Sequence, residues 1–533
     1  MNEQVQIIPI VVGVTGHRVL REEDRPALIA AVKAELSALR SRCPNSPLKM
    51  LNSLAEGSDL LCAKAAEELG IPVLAALPMD YGEYVKDFSP GGKEALDRAI
   101  AGAERVFVVP PTEAEPGTVS RDFLYRQAGI YMAAHSHVLL ALWDGGEGTP
   151  AACGTAEVVD FALRGSYQPA MGSAIRLGTG ESVLHIFTPR GERAGAAGTV
   201  RWLGDTEATA EILARTDEFN ALAAASAPKK GPLLPEDRPD DPLLADLERA
   251  YQTADTLSTG FAGIYRRTLA LLAAASTILT LAVLLYDEAE AIWMIFVCGA
   301  MLAAAWLCMR RAARSACHRR YIEYRALAES CRVQAFLRYA GSALQASDVF
   351  SWMQQAETAW IPDALCALAV GPIPGETRDI RSCWVGVQEA YHKKAAGNAR
   401  RQADGSDRVV HVALIVSVSL YVAALIFELA AGGKLARPVF PVADPEVYRT
   451  ILKIVLGSIS AATLFISNYS GRLSLPRKLS DHTKMERFYA RIGDQLTLRG
   501  QTEDLLALLA REELIENGNW CSYQRDISPD LSV

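Results

Sequence analysis

Through the first two hundred residues, short apolar runs alternate with longer stretches that mix apolar and polar positions at helical spacing. The runs at 7–14 (IIPIVVGV), 49–54, 71–76, 105–109, 137–143 and 183–188 predict strands, and the stretches at 24–41, 58–69, 92–102, 121–135 and 154–164 predict helices. Strands that are apolar throughout must be covered on both faces, and parallel neighbours need a crossover between them. The pattern therefore predicts an α/β fold class, a Rossmann-like parallel sheet, over residues 1–195.

From 196 to 245 the chain becomes rich in Gly, Ala, Pro and charge, with a helix expected at 206–224 and a linker at 225–242. The pattern then changes to long uncharged stretches: Thr268–Tyr286, Ala291–Met309, Val409–Phe427 and Ile454–Tyr469, the last shorter and carrying Ser and Asn. The first two are nineteen residues each, about 28 Å of helix, close to the ~30 Å hydrocarbon core of a bilayer. Four transmembrane helices in two hairpins follow, within an all-α membrane module. Its parts are a hairpin with flanking helices at 246–340, a helical region at 341–408, a second hairpin at 409–470 and C-terminal helices at 471–533. Arg266 and Arg267 precede the first span, Arg310, Arg311 and Arg314 follow the second, and the turn Asp287–Glu290 between them is acidic. The second hairpin has Arg400, Arg401 and Arg408 before it and Arg472, Arg477 and Lys478 after it, although its outer loop also holds Lys434 and Arg437. The positive-inside bias then predicts a multi-pass membrane protein with both termini cytoplasmic.

At 533 residues one core is insufficient, so several domains are expected. The charge balance of −8 provides no broad basic field for a phosphate backbone, which argues against a nucleic-acid partner. Ten cysteines lie scattered without metal-ligand spacing and read as reduced packing residues; no metal is expected. Residues 1–20 have no signal-peptide pattern.

Three turns carry candidate chemistry. Gly13, Thr15, Gly16, His17 and Arg18 leave the first strand towards a helix, where backbone N–H groups, a hydroxyl and a guanidinium can meet an anion. Glu56, Gly57, Ser58 and Asp59 occupy the same place after the second strand, with Ser58 a helix cap or a phosphate contact and Asp59 an acceptor for ribose hydroxyls or a capping residue. Trp143, Asp144 and Gly145 end the 137–143 strand, and Gly154, Thr155 and Glu157 open the next helix. Neither GxGxxG nor GxxxxGK[ST] is present. Three such turns at one sheet edge describe a nucleotide pocket.

Together, GVTGHR, SLAEGSDLL and LLALWDGG with GTAEVVDFA resemble the SLOG superfamily, which includes Lonely Guy phosphoribohydrolases, DprA proteins and the sensing domains of TRPM channels. The resemblance covers residues 5–190. It implies a nucleotide-derived ligand, ADP-ribose-like or a cyclic nucleotide, with phosphate contacts at Gly13, Thr15, Gly16, Gly57, Ser58, Gly154 and Thr155; His17 and Arg18 would touch phosphate or orient the loop. It also implies coupling to a SLATT-like transmembrane effector, which the two hairpins resemble. The Lonely Guy pattern PGGxGTxxE is incomplete: after Gly145–Thr149 the glutamate position holds Ala152, and counted from Gly154-Thr155 it holds Val158, with Glu157 one short. No resident cofactor is expected.

The functional expectation is a membrane effector gated by a nucleotide-derived second messenger, acting on the lipid bilayer as a homo-oligomer in prokaryotic antiphage defence. A membrane-anchored nucleotide or NAD-derivative hydrolase, using Asp59, Asp144 or Glu157 as acid or base, and a nucleotide-regulated channel or transporter are the alternatives.

Overall fold

The structure is a computed structural model and describes residues 7–110, 119–146, 154–164, 182–190, 195–226, 231–288, 291–351, 358–431, 445–473 and 475–526. Of the sequence expectations, those on Glu147–Cys153, Glu290, Lys434 and Arg437 lie outside the described residues.

The N-terminal elements are β1 (Ile10–Gly16), α1 (Arg25–Arg42), β2 (Leu48–Asn52), α2 (Ser58–Glu68), β3 (Val73–Leu77), α3 (Tyr81–Tyr84), α4 (Pro90–Gly102), β4 (Arg105–Val108), α5 (Arg121–Ala134), β5 (Val138–Trp143), α6 (Thr155–Arg164), β6 (Val183–Phe187), β7 (Val200–Leu203) and α7 (Thr206–Ala224). The sheet runs β4-β3-β2-β1-β5-β6-β7. All pairs are parallel except β6 with β7, which is antiparallel. The strand β7 has no counterpart in the sequence reading, because VRWL sits in a Gly- and Ala-rich stretch that reads as irregular. Strand β1 starts at Ile10, three residues later than expected: Pro9 has no N–H to give a ladder, and Ile7 and Ile8 instead donate to Asn220 Oδ1 of α7.

Alternation along β1 explains the two-sided core. Ile10, Val12 and Val14 enter one cluster with Leu28, Val32, Leu36 and Leu39 of α1, while Val11 enters the other with Leu139 of β5 and Val159 of α6. The α1 stripe recurs at helical spacing and is fully buried. Burial contributes roughly 1.5–3 kcal/mol per side chain, whereas a cap contributes ~1 kcal/mol, so α1 forms although Asp24 makes no side-chain cap bond.

The remaining helices are α8 (Pro242–Glu288), α9 (Met294–Ser315), α10 (Cys317–Tyr339), α11 (Trp360–Leu368), α12 (Val387–Ala431), α13 (Pro445–Leu473), α14 (Leu475–Arg499) and α15 (Glu503–Asp526). The chain divides into two compact units: 1–257 with 323–380 and 501–522, and 258–322 with 381–500 and 523–533. The first unit is therefore larger than the sheet domain alone. Ala367 and Val370 join the core of the sheet, and Arg105 donates to the Val370 carbonyl at 2.5 Å. Part of the expected linker is fastened: Leu234 is buried, and Glu248 accepts from the Leu233 and Leu234 amides and pairs with Arg238.

In the second unit, α12 and α14 pack around Tyr489 and Trp384, both fully buried. Three helical stretches, Pro242–Asp287, Met294–Tyr339 and Arg381–Ile426, are long and apolar enough to cross a membrane. The fourth expected span falls within helix α13, which is not among these three, and the side chains of 464–473 are outside the described residues.

Candidate functional site

Strand order reverses direction between β1 and β5, since β2, β3 and β4 lie on one side of β1 and β5, β6 and β7 on the other. Loops leaving the carboxyl ends of two such strands part in opposite directions and leave a crevice. A cavity of about 680 Å³ occupies that place.

Of the residues singled out from the sequence, Thr15, Gly16, His17, Arg18, Asp59, Trp143, Asp144, Gly154 and Thr155 line it. The β1 ladder carries the first group up to the rim: Thr15 pairs with Ala141 and Gly16 with Leu142, and the His17 amide donates to the Leu142 carbonyl at 3.1 Å. The second turn is bolted to the first, because the Ser58 amide and hydroxyl both donate to the His17 carbonyl, at 3.0 and 2.8 Å. Two glycines permit that approach. A Cβ on Gly16 would stand 2.4 Å from Ser58 Cβ, and one on Gly57, whose φ is +97°, would stand 2.2 Å from the Arg18 carbonyl oxygen.

Gly13, Glu56, Gly57, Ser58, Gly145 and Glu157 do not line the cavity. Gly13 faces Ser136, and Ser58 is buried beneath the first turn. Glu56 accepts from the amide and hydroxyl of Ser89, and those hydrogen bonds hold its carboxyl below the usual range. Glu157 pairs with Arg126 at 3.0 Å. Gly145, at φ +71°, shapes the turn in which Asp144 Oδ1 accepts from the Gly146 amide at 3.0 Å.

His17 and Asp144 lie side by side, Nε2 to Oδ1 at 3.4 Å. The closer contact is with the backbone: the Asp144 amide donates to Nε2 at 3.1 Å, which places the imidazole proton on Nδ1. Burial lowers the His17 pKa, Asp144 pulls it upward and Arg190 pushes it down. His17 is thus tied to the turn at Asp144 while lining the crevice.

Asp59 is a strongly perturbed carboxyl in the cavity, beside Tyr84, whose hydroxyl pKa burial pushes well up. It is 6% exposed, and burial raises its carboxyl pKa from 3.8 to about 7, against the opposing pull of the Ala55 amide and Arg18. Its surroundings are held by Asn52, whose Nδ2 donates to the Asp59 carbonyl at 2.9 Å while Oδ1 accepts from the Leu54 amide at 2.7 Å. Leu54 is left at φ +57°, a costly conformation for a γ-branched residue, beside the site.

Several lining residues lie beyond the three turns. Tyr125, Ala128, Gly129 and Met132 are spaced along one face of α5. Tyr125 supports the Arg18 guanidinium 4.8 Å above its ring and donates its hydroxyl to Asp87, which also accepts from Arg121 at 2.6 Å. Arg190 follows β6, whose end is tied to β5 by the Thr188 amide donating to the Trp143 carbonyl at 2.9 Å. Its position after a strand's carboxyl end was the one available signal in the sequence; that of Tyr125 required knowing which face of α5 turns to the crevice.

The resulting cavity is lined by the cations Arg18 and Arg190, by the start of α6 at Gly154, Thr155 and Ala156, by the carboxyls of Asp59, Asp122 and Asp144, and by the aromatic rings of Trp143 and Tyr125, with Arg18 near enough to Asp59 to act on its charge. Among the described residues no cluster of three or more His, Cys, Asp or Glu could hold a metal ion. Neither protein-family models nor curated proteins match the chain.

Proposed function

We propose that this chain is a membrane effector whose α/β unit binds a nucleotide-derived ligand in the cavity between the ends of β1 and β5. The observation that carries the reading is the grouping of an open helix start, two guanidiniums, a threonine hydroxyl and aromatic walls in one 680 Å³ crevice. Phosphate suits the α6 start and Arg190, where amides and charge converge. A base suits Trp143 or Tyr125, and sugar hydroxyls suit Asp59 or Asp144.

The ligand acts by binding one arrangement of the chain more tightly than another, since equal affinity shifts nothing. Four spans in two hairpins enclose too little space for a pore, so the active form is a homo-oligomer that perturbs the bacterial inner membrane, with both termini cytoplasmic and defence against phage as its purpose. The resemblance to SLOG sensors and SLATT-like effectors supports this reading.

Asp59 favours one second reading. A carboxyl with a pKa of about 7 is matched to general acid–base work at neutral pH, as a membrane-anchored nucleotide hydrolase would need.

The test uses the full chain in nanodiscs, because Ala367 and Val370 belong to the sheet's core and a fragment ending near 225 would lose them. Melting temperature is measured with ADP-ribose, its cyclic isomers, NAD, cyclic dinucleotides and ATP, with product analysis and vesicle leakage in parallel. A ligand that raises the melting temperature, is recovered intact and induces leakage supports the effector. Turnover abolished in Asp59→Asn replaces it with the hydrolase.

A further inference from the structure

The second compact unit holds two imidazoles face to face. His392 stands early in α12 and His482 early in α14, two helices that pack along each other. Their Nδ1 atoms are 3.0 Å apart, with ring centroids at 5.1 Å and planes inclined by 57°. Neighbouring rings fix both orientations. Tyr489, fully buried, stacks on His392 at 5.5 Å, and Tyr391 stands at right angles to both imidazoles, 5.1 Å from His392 and 6.1 Å from His482. His392 is 5% exposed and His482 is half-buried, so solvent reaches the pair from the α14 side.

Each imidazole nitrogen offers either one proton or one lone pair in the plane of its ring. Two that face each other across 3.0 Å share either a single Nδ1 proton or a metal ion in its place. The proton requires opposite tautomers in the two rings, whereas the ion requires only that both be neutral. A tetrahedral Zn²⁺, bound to nitrogen at ~2.0–2.1 Å, separates two ligand nitrogens by about 3.3 Å. The pair therefore accepts it by parting about 0.3 Å, a movement small beside the packing that already fixes the rings. Imidazole selects borderline transition ions over Mg²⁺ and Ca²⁺, which prefer oxygen. Among the described residues no third His, Cys, Asp or Glu joins the pair, so water completes the coordination.

We propose that His392 and His482 form a two-imidazole binding site for a divalent transition-metal ion, Zn²⁺ or one of its neighbours, that cross-links α12 to α14. The helix it would fasten continues into the apolar stretch that ends at Ile426.

The experiment measures melting temperature of the full chain in phosphatidylcholine nanodiscs, with EDTA, with excess Zn²⁺ and with excess Mg²⁺. Wild type is expected to melt about 3 °C higher with Zn²⁺ than with EDTA, and to be unmoved by Mg²⁺. His482→Gln keeps a polar side chain of similar size at the half-exposed position and is expected to lose the zinc-dependent rise; its curve in EDTA reports whether it folds. His392→Gln gives the same loss. His411→Gln, which removes an exposed imidazole further along α12, keeps the rise. The proposal is overturned if wild type shows no rise with Zn²⁺, whatever the variants do, if Mg²⁺ raises it equally, if His482→Gln retains the rise, or if His411→Gln loses it.

Discussion

Val11 and Val12 on β1 and Leu414 and Ile415 on α12 are neighbouring apolar pairs of similar character, yet the first pair is inaccessible and the second is 60% and 64% exposed. In the α/β unit the central strands β1, β2, β3 and β5 find covering helices, so their apolar side chains are satisfied by the chain itself, and exposure is confined to the edges, at Val106 and Val108 of β4 and along β7. In the helical unit apolar side chains point outward, on helices long and apolar enough to cross a membrane. The comparison extends to polar groups. The first unit can hold a buried carboxyl such as Asp59 because Asn52, Ala55 and Arg18 surround it, whereas Val409–Phe427 of the second contains no Asp, Glu, Lys or Arg.

The largest expected effect tests that buried carboxyl. Raising its pKa from 3.8 to about 7 means the folded chain holds a proton that the unfolded chain has released, so this contribution is fully present below pH 3.8 and is lost as pH rises to 7. Asp59→Asn should remove the loss: the variant's stability advantage over wild type should grow between pH 4 and 7 to a ceiling of about 4 kcal/mol, read as the difference in melting curves. A pH-independent difference would show that Asp59 is solvated like a surface acid. Next in size is Gly57→Ala, which places a Cβ against the Arg18 carbonyl at a left-handed φ and should cost about 3–4 kcal/mol; a chain that unfolds at wild-type denaturant would break the account of the two bolted turns.

On the helical side, Leu414→Arg should cost about 3 kcal/mol of membrane insertion, measured as the fraction of chain recovered in membranes. Leu498→Arg, 78% exposed on α14, should change stability by less than about 0.5 kcal/mol. Equal effects at the two positions would dissolve the distinction between lipid-facing and water-facing leucines. At the binding site, Arg190→Gln is expected to weaken a phosphate-bearing ligand about tenfold, or ~1.4 kcal/mol, with melting temperature unchanged in its absence; a titration at wild-type affinity would remove Arg190 from the site.

Much of the α/β unit was legible in the sequence because its signals are local. The turn at Gly13–Arg18 follows a strand of near-continuous apolar residues, and Ser58 and Thr155 open helices where expected. The misreadings share one cause. Glu56 resembled a ligand group until Ser89, thirty-three residues away, was found to occupy it. Tyr125 and Arg190 entered the cavity from elements whose facing no local pattern specifies. The stretch at 358–371 read only as an amphipathic helical region, yet Ala367 and Val370 complete the sheet's core.

By itself, then, the sequence determined where the strands before β7 and most helices lie, that those strands pair in parallel, and that long helices carry extended apolar surface. These follow from periodicity and hydropathy, which act over a few turns or strand residues. Only the tertiary structure decided which side chains share the crevice and that Asp59 is desolvated enough to titrate near neutrality. Those properties depend on distances between residues far apart in the chain, and burial and charge act through space, without regard to position along it.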